Sequence, residues 1–452
     1  MMNTAPTHTR WLILTVIFGI GELMFIDRVN ISIAAKYIMP EYGLSDVQMG
    51  WIFSAFVFGY AVLQITGGTL GDRFGPRHVL AGAIFGWSAF TAVTALAGDW
   101  LLTSAIGVVG SFIVVRALIG VGEAAGPPNY NRVVANWMAP GEHGLALGIT
   151  TSGSALGAAL TPPLMVWIML HLGWRAAFYI VGAVGMLVAL LCYWFITDRP
   201  EQHAWVNDAE RALIASGGEP TSSASAASRG TPWRVLLTRP DLWCLTLSYG
   251  TLGYISYIYF SWFYLYLVNV GGFSLVSGGW FSTAPFFISA AAAPVGGWLS
   301  GRLSRGYGKR VGPCGLGFCC PLVASLLMYC GAATSDPYLS VIALSLGEGM
   351  LLLSVAAYWA TTIDLAKPYA GAVSGLMNMG GNVAGTVSPT LTPYLAQHCG
   401  WNRAVYVAAA LAFVGAFFWL GIHPEHEIDL GEQPVPTPPV AAPRPSAIET
   451  MT

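Results

Sequence analysis

Long apolar segments recur along this chain, and each has about the length that a helix needs to cross a lipid bilayer. A transmembrane helix takes about 20 consecutive, mostly apolar residues. Only 9% of the 452 residues are charged, against about 25% in soluble proteins, so lipid must surround most of the folded chain. The sequence therefore predicts an all-α membrane protein with twelve transmembrane helices, at 11–35, 48–71, 78–97, 101–126, 143–170, 174–197, 240–268, 278–301, 311–332, 338–363, 371–397 and 402–422.

The first apolar segment is too long for a secretory signal peptide and has no small-residue cleavage pattern. We expect it to remain as the first membrane helix. The seven cysteines lie in or near apolar segments, without the paired spacing and nearby histidines of a zinc site. No basic tract indicates nucleic acid. We therefore expect no metal, no cofactor and no nucleic-acid partner, and a monomer in the bilayer.

Lys and Arg residues are distributed unequally between the two ends of the predicted helices. Because loops rich in these residues stay in the cytoplasm, we expect both termini and the central loop to face the cytoplasm, in a multi-pass protein of the cell inner (plasma) membrane. The poor side holds Lys36, Arg175 and Arg403. The rich side holds Arg10, Arg73, Arg77, Arg132, Arg199, Arg211, Arg229, Arg234, Arg239, Arg302, Arg305, Lys309, Arg310, Lys367 and Arg444.

The chain also repeats itself. GGTLGDR at 67–73 returns as GGWLSGR at 296–302, a shift of 229. We therefore expect two pseudo-symmetric six-helix bundles, 1–197 and 240–422, joined by a linker loop at 198–239 and followed by a Pro/Ala-rich, disordered cytoplasmic tail at 423–452. At a shift of 227, Gly144, Gly148, Gly153, Pro162, Gly173, Trp174 and Tyr179 return as Gly371, Gly375, Gly380, Pro389, Gly400, Trp401 and Tyr406.

The segment between the second and third helices carries Gly68, Asp72, Arg73, Gly75 and Arg77. It closely resembles the signature loop of the major facilitator superfamily. An Asp and several Arg between two helix ends predict a conformational latch formed by Gly68, Asp72, Arg73 and Arg77. Gly301 replaces the Asp in the second copy, so we expect an asymmetric latch. The alternative is a merely solvated basic turn.

More specific strings resemble one branch, the anion:cation symporter family, over residues 10 to about 422. The resemblance implies a carrier rather than an enzyme, and its members include proton-coupled carriers of galactonate, glucarate and hexuronates, and phthalate carriers. The strings are FIDRVNISIA (25–34), QMGWIFSAF (48–56), GYAVLQITGG (59–68), RALIGVGEA (116–124), NRVVANW (131–137) and GLMNMGGNVAG (375–385).

Four charged residues, Asp27, Arg28, Arg116 and Glu123, fall inside predicted membrane helices. Left unpaired, they would cost on the order of 10 kcal/mol together, comparable with the stability of a whole protein. They must pair with one another or face a wet cavity. Arg116 and Glu123 are seven residues apart, so they share a helix face about 10 Å apart. The first and fourth helices are neighbours in the fold that the resemblance implies.

These four charges support a hypothesis for coupling. Asp27 and Glu123 are the candidate proton-coupling residues, as the resemblance to galactonate carriers also implies. Protonation of a carboxylate would free Arg28 or Arg116 to bind the carboxylate of an anionic substrate, which the planar guanidinium grips at two points. The alternative is a fixed set of salt bridges that only stabilises helix packing.

Polar and aromatic residues near the repeat interface are candidates for the rest of the substrate site. Amides and hydroxyls at such depth suit a polyhydroxylated acid, whose hydroxyl groups need partners once desolvated. For the aromatic residues the alternative is packing against lipid or core. The candidates are Tyr60, Gln64, Ser152, Tyr249, Tyr257, Trp359, Asn378 and Asn382.

The leading interpretation is a proton-coupled symporter of a small organic anion, most simply a sugar acid such as a hexonate, hexarate or hexuronate. The Tyr-rich seventh helix keeps an aromatic carboxylate open as the substrate, and an exchanger or uniporter without proton coupling is a further alternative. A membrane enzyme or receptor is disfavoured, because no nucleophile–base pair or cofactor loop occurs in the sequence. Glu22 and Glu348 depart from the family pattern. Each is either an extra proton site or a buried, protonated carboxyl group.

Overall fold

Every regular element that the structure describes is helical. The structure is a computed structural model, and it describes residues 5–99, 101–139, 142–215, 233–365 and 369–425. The predicted disordered tail beyond 425 and the linker residues 216–232 lie outside the described residues. The helices are α1 (Thr9–Tyr42), α2 (Asp46–Phe74), α3 (Pro76–Thr94), α4 (Leu101–Ala124), α5 (Gly126–Trp137), α6 (His143–Leu172), α7 (Trp174–Phe195), α8 (Asp208–Ala215), α9 (Trp233–Leu236), α10 (Pro240–Ser261), α11 (Phe263–Asn269), α12 (Leu275–Phe281), α13 (Ala284–Tyr307), α14 (Gly315–Ala333), α15 (Pro337–Leu365), α16 (Ala370–Cys399) and α17 (Trp401–Phe418).

The all-α prediction is confirmed. The predicted membrane segments fall on these helices, but the seventh, 240–268, is divided between α10 and α11 at Trp262, and the eighth, 278–301, is divided between α12 and α13. Eight segments of the described chain are long and apolar enough to cross a membrane by a strict criterion. Helix α1 is not among them, and it carries Glu22, Asp27 and Arg28 within its apolar stretch. The fourth helical segment, predicted at 101–126, is longer in the structure, because α5 continues it to Trp137.

Local chemistry sets the helix boundaries. Gly43 ends α1 in the left-handed region, at φ 64°, which glycine adopts without a steric penalty. Ser45 then begins α2 with a reciprocal cap: its hydroxyl accepts from the Gln48 amide at 3.2 Å, and the Gln48 side chain accepts from the Ser45 amide at 2.9 Å. The first two membrane helices are thus joined by a short, well-defined turn.

Helix pairing repeats between the two parts of the chain. In the first part α1 packs along α6, α2 along α4 and α3 along α7; in the second, α10 packs along α16, α13 along α15 and α14 along α17. Glycines make the approaches close. A β-carbon on Gly120 would collide with the Phe56 carbonyl oxygen, and one on Gly296 with that of Leu353. Small residues allow membrane helices to approach this closely, and in a bilayer such packing, rather than exclusion of water, drives helix association.

The two parts meet most closely at one end of the bundle. We call the end that carries Arg10, Arg73 and Arg302 the basic end. Toward the opposite end, a β-carbon on Gly50 of α2 would collide with the Pro389 carbonyl oxygen of α16. One turn further, the Ser54 and Thr390 hydroxyls are 2.9 Å apart.

Lys36 also donates to the Asn269 side chain at 2.6 Å near this opposite end. The hydrogen bonds of Gln64 with Asn378 and Asn382 lie nearer to the basic end than these contacts. The described contacts therefore close the bundle at the opposite end.

At the basic end, the segment before α1 is tied to the linker helix α8. Arg10 lies between two carboxylates: its Nε is 2.9 Å from Glu142 Oε2, and its Nη1 is 2.9 Å from Glu210 Oε1. The Thr7 hydroxyl donates to the other Glu210 oxygen at 2.5 Å. The hydrogen bond to Arg10 holds the pKa of Glu142 below its usual value. Burial raises the pKa of Glu210, but hydrogen bonds from Thr7 and Arg10 outweigh it and hold the pKa below the ordinary value.

This tie predicts acid sensitivity. A carboxyl group with a lowered folded-state pKa contributes stability above the unfolded value, about pH 4.3, and that stability is lost as pH falls through the folded-state pKa. Glu210→Gln is expected to lower the free energy of unfolding by about 2 kcal/mol at pH 7, and to flatten the fall of the unfolding temperature between about pH 5 and pH 3.

Thermal unfolding of purified protein across this pH range measures the effect. Asp208→Asn on the same helix is the matched control. The Asp208 side chain is 98% exposed, so its ion pair with Arg211 should contribute almost nothing to stability. Equal acid sensitivity in Glu210→Gln and the unmodified protein would contradict the prediction.

Candidate functional site

The four membrane charges predicted from the sequence come together between α1 and α4. Arg28 Nε donates to Glu123 Oε2 at 2.8 Å, and the Glu123 side chain is fully buried. Asp27 and Arg116 are 1% and 2% exposed. The structure thus brings all four into one buried cluster, which we call the charge cluster.

Arg116 contacts the main chain of Asp27, and the Asp27 carboxylate contacts another helix. Arg116 Nη1 donates to the main-chain oxygen of Asp27 at 3.2 Å, whereas the Asp27 carboxylate accepts from the Thr91 hydroxyl of α3 at 2.9 Å. Of the two arginines, Arg28 forms the ion pair that is described within the cluster. Arg116 therefore keeps hydrogen-bonding capacity.

Several buried polar atoms of the cluster lack a hydrogen-bond partner among the described residues. They include Asp27 Oδ2, Arg116 Nε and Glu123 Oε1. Buried polar groups are nearly always paired, so such atoms indicate places for a proton, a water molecule or a ligand group. The cluster has capacity for chemistry beyond its own salt bridge.

Aromatic rings surround the guanidinium groups. The Arg28 guanidinium carbon lies 4.9 Å from the Phe25 ring centroid, 5.4 Å from that of Phe56 and 4.7 Å from that of Tyr60. Arg116 also lies over Phe56, at 4.9 Å. Rings stabilise a cation through their π faces without neutralising its charge. Both arginines therefore remain able to attract an anion.

The charge cluster lies at the boundary between the two parts of the chain. Phe25 packs edge-on against Phe260 of α10 at 5.7 Å, and Phe260 packs in turn against Tyr257 at 5.8 Å. Tyr257 lies within electrostatic range of Arg28. The α10 tyrosine predicted from the sequence is thus close to the cluster.

Three predicted amide residues also meet across this boundary. The Gln64 side-chain oxygen accepts from Asn378 Nδ2 at 3.0 Å and from Asn382 Nδ2 at 3.2 Å. Gln64 belongs to α2 and the two asparagines to α16. Amides from both parts of the chain therefore face one another, each with further donors or acceptors to offer a polar ligand.

Other predicted site residues lie further from this cluster. Tyr249 packs against Trp359 with centroids 6.2 Å apart, and Trp359 is 40% exposed. Ser152 is exposed and donates to the Gly148 carbonyl of its own helix at 2.9 Å. Serine hydroxyls in helices commonly bond back in this way, and no described contact links Ser152 to the charge cluster.

The predicted latch is only partly described. Arg77 donates from its main-chain nitrogen to Asp198 Oδ1 at 2.9 Å and from Nε to the Tyr193 carbonyl at 2.8 Å. Gly75 has φ +83°, and a β-carbon there would press on Asp198. Gly68 and Asp72 lie in the last turns of α2, but the Asp72 side chain is outside the described part of the structure. Arg73 lies over the Phe74 ring at 5.2 Å.

Sequence reasoning missed two residues of the cluster. Phe56 lies under both arginines, and its position four residues before Tyr60 on one helix face was an available signal. Thr91 holds the Asp27 carboxylate, but hydroxyl residues are too common in membrane helices for its position to have stood out.

Comparison with known proteins gives a consistent result. Residues 17–389 match the family described as Major Facilitator Superfamily. The chain is 36% identical to a probable sulfoacetate transporter of Cupriavidus necator, over 93% of this chain and 95% of the relative. It is 31% identical to a probable galactarate/D-glucarate transporter of Bacillus subtilis, over 91% and 90%. It is 29% identical to a D-galactonate transporter of Escherichia coli, over 92% and 96%.

Solved structures share the fold at low identity. A bacterial homolog of the human lysosomal transporter Spinster, in an inward-facing and unoccupied conformation, superposes with a TM-score of 0.74 at 19% identity, over 92% of this chain and 97% of that one. A D-xylose-proton symporter superposes with a TM-score of 0.72 at 13% identity, over 92% and 98%. These similarities carry the fold, which implies twelve membrane helices.

Proposed function

The chain belongs to the major facilitator superfamily, and on that premise we propose that it couples the movement of a small organic anion to that of protons across the cell inner membrane. It is a carrier and not an enzyme. The alternating-access cycle uses the charge cluster, with both termini and the linker in the cytoplasm and the protein acting as a monomer.

The observation that carries this proposal is the buried Arg28–Glu123 ion pair at the boundary between the two parts of the chain. Protonation of Glu123 removes the counter-charge of Arg28. A guanidinium that is buried among rings and has lost its carboxylate needs another anion. A substrate carboxylate supplies that anion, so proton binding and substrate binding support each other.

Asp27 and Arg116 act beside this pair. Arg116 has an unpaired Nε, and Asp27 has an unpaired carboxylate oxygen beside the one held by Thr91. In the proposed cycle Arg116 supplies the second positive charge for the substrate, and Asp27 is the second proton-coupling carboxyl. With proton and anion both bound, the cluster is close to neutral and can pass between access states.

The amides narrow the substrate class. Gln64, Asn378 and Asn382 face one another next to the boundary and offer partners to substrate hydroxyl groups. Tyr60 and Tyr257 lie near Arg28. A sugar acid such as a hexonate, hexarate or hexuronate presents both a carboxylate and hydroxyls. Relatives named for galactarate, D-glucarate and D-galactonate support this choice.

A second candidate substrate is a small sulfonate that also carries a carboxylate. The relative named as a probable sulfoacetate transporter is 36% identical over 93% of this chain. Two nearby arginines, Arg28 and Arg116, suit an anion with two acidic groups. An aromatic carboxylate would instead be favoured by the Tyr249 and Trp359 side of the site.

Proteoliposomes test the coupling. Addition of the transported anion is expected to alkalinise the external medium, because protons enter with the substrate. A protonophore should abolish this pH change without stopping substrate entry down its own gradient. The substrate is first found by thermal shift against sugar acids, sulfoacetate, dicarboxylates and aromatic acids, since a ligand of the folded state stabilises it. Substrate uptake without a pH change would replace symport by uniport or exchange.

A further inference from the structure

A further buried carboxyl group lies in the other part of the chain, away from the charge cluster. Glu348 of α15 is 3% exposed. Its Oε1 accepts from the Ser256 hydroxyl of α10 at 2.8 Å, and its Oε2 has no hydrogen-bond partner among the described residues. The proposed function so far makes no use of this group.

The internal repeat relates this pair to the Arg28–Glu123 pair. At the repeat shifts of 227 and 229, Ser256 corresponds to positions 29 and 27, on either side of Arg28, and Glu348 corresponds to positions 121 and 119, within a turn of Glu123. The helices correspond as well, because α10 begins the second part as α1 begins the first. Each copy thus joins a carboxyl group to the same partner helix at 2.8 Å.

The two copies differ in charge. The first contains a guanidinium, and the second contains the hydroxyl of Ser256. The residues that pack against the adjoining Gly347 and Gly349 are apolar, Met328 of α14 and Ile288 of α13, and Tyr259 of α10 lies within electrostatic range of Glu348. Tyr259 is titratable, but its hydroxyl donates to the Leu344 carbonyl at 2.7 Å.

No cation contacts Glu348 among the described residues. An ionised carboxylate without a counter-charge in such surroundings is too costly to persist. The group in this conformation is therefore a neutral acid, with Ser256 bonded to one oxygen and the proton on the other.

We propose that Glu348 is a proton-binding site of the second part of the chain, which loads and unloads a proton in each transport cycle. Helix α15 corresponds to α4 in the repeat, and its movement relative to α10 would expose the carboxyl group to water in another access state. Ser256 is half-buried and is followed on α10 by Tyr257, which lies near Arg28, so the same helix contacts Glu348 and approaches the charge cluster. The inference rests on the proposed proton-coupled function and adds one transported proton to each transport cycle.

The test is the ratio of protons to substrate, measured from reversal potentials in proteoliposomes. Glu348→Gln keeps a side-chain oxygen for Ser256 but cannot release a proton. The ratio is expected to fall by one proton per substrate, with accumulation about tenfold lower for each imposed unit of pH gradient. Glu201→Gln, which makes the same change at an exposed carboxyl group of the linker, is the matched control and should keep the ratio of the unmodified protein.

The outcomes separate the two proposals. A coupled unmodified protein with an unchanged ratio in Glu348→Gln overturns the Glu348 proposal and leaves the coupled function intact. An unmodified protein that moves substrate without protons overturns the proposed coupling itself.

Should Glu348→Gln fail to fold, infrared difference spectroscopy of the unmodified protein decides. A protonated-carboxyl band that persists in Asp27→Asn and Glu123→Gln and changes with substrate supports the proposal, and its absence overturns it. Sodium-dependent uptake at fixed pH that is lost in Glu348→Gln would also overturn it, by assigning the site to a metal cation.

Discussion

Glu123→Gln is expected to abolish uphill accumulation of the substrate. Glutamine keeps the size and a hydrogen-bonding oxygen, but it cannot exchange a proton, so Arg28 stays without its counter-charge throughout the cycle. Substrate would then move only down its own gradient, and the internal concentration should rise no higher than the external one. Uptake into proteoliposomes under an inward proton gradient measures this directly.

Counterflow separates coupling from binding in the same preparation. Glu123→Gln should still exchange labelled for unlabelled substrate, because exchange needs no net proton movement. Asp27→Asn should also lose accumulation, and comparison of its counterflow with that of Glu123→Gln tells which carboxyl group the return step needs. Normal accumulation in both variants would mean that the charge cluster only holds the helices together.

Arg116→Lys is expected to weaken substrate binding by about 100-fold. Arg116 is 2% exposed and holds the Asp27 carbonyl with one nitrogen while its Nε is unpaired. Lysine retains the charge but replaces the planar fork by a single ammonium group. Loss of one partner of a buried charged contact costs about 2–5 kcal/mol, and 100-fold corresponds to about 2.7 kcal/mol.

Ligand-induced thermal shift gives the affinity, and the unfolding temperature without ligand shows whether the variant is folded. Arg302→Lys is the matched control, because Arg302 is exposed at the basic end and lies over Trp298. An affinity for Arg116→Lys within threefold of the control would remove Arg116 from the substrate site.

The fold class could be predicted from the sequence because the dominant energetic terms depend on short stretches of it. Apolar length predicts each membrane helix, and the cost of a buried charge requires that Asp27, Arg28, Arg116 and Glu123 be satisfied together. The prediction that they share one place rests on that cost together with the resemblance to the major facilitator superfamily, in whose fold the first and fourth helices are neighbours. The amide residues Gln64, Asn378 and Asn382 were predicted on the same ground, that an amide is costly to bury without a partner.

Partner choice within the cluster was not predictable in the same way. Several pairings of two acids and two arginines satisfy the same charge balance, and the difference between them depends on angstrom-scale helix rotation. Arg116 donates to the main chain of Asp27, and Thr91 takes the Asp27 carboxylate. The interruption of the seventh segment at Trp262 was not predicted either; there the indole nitrogen donates to the Pro389 carbonyl of α16 at 2.9 Å.

The approach of Gly50 to Pro389 has a consequence for leakage. Main chain meets main chain so closely there that no water molecule fits between the two residues. A file of water through the bundle would short-circuit a proton gradient, since protons hop along such files without any carrier movement. Because Gly50 has no side chain, this contact excludes water between α2 and α16 at that point without depending on a side-chain rotamer.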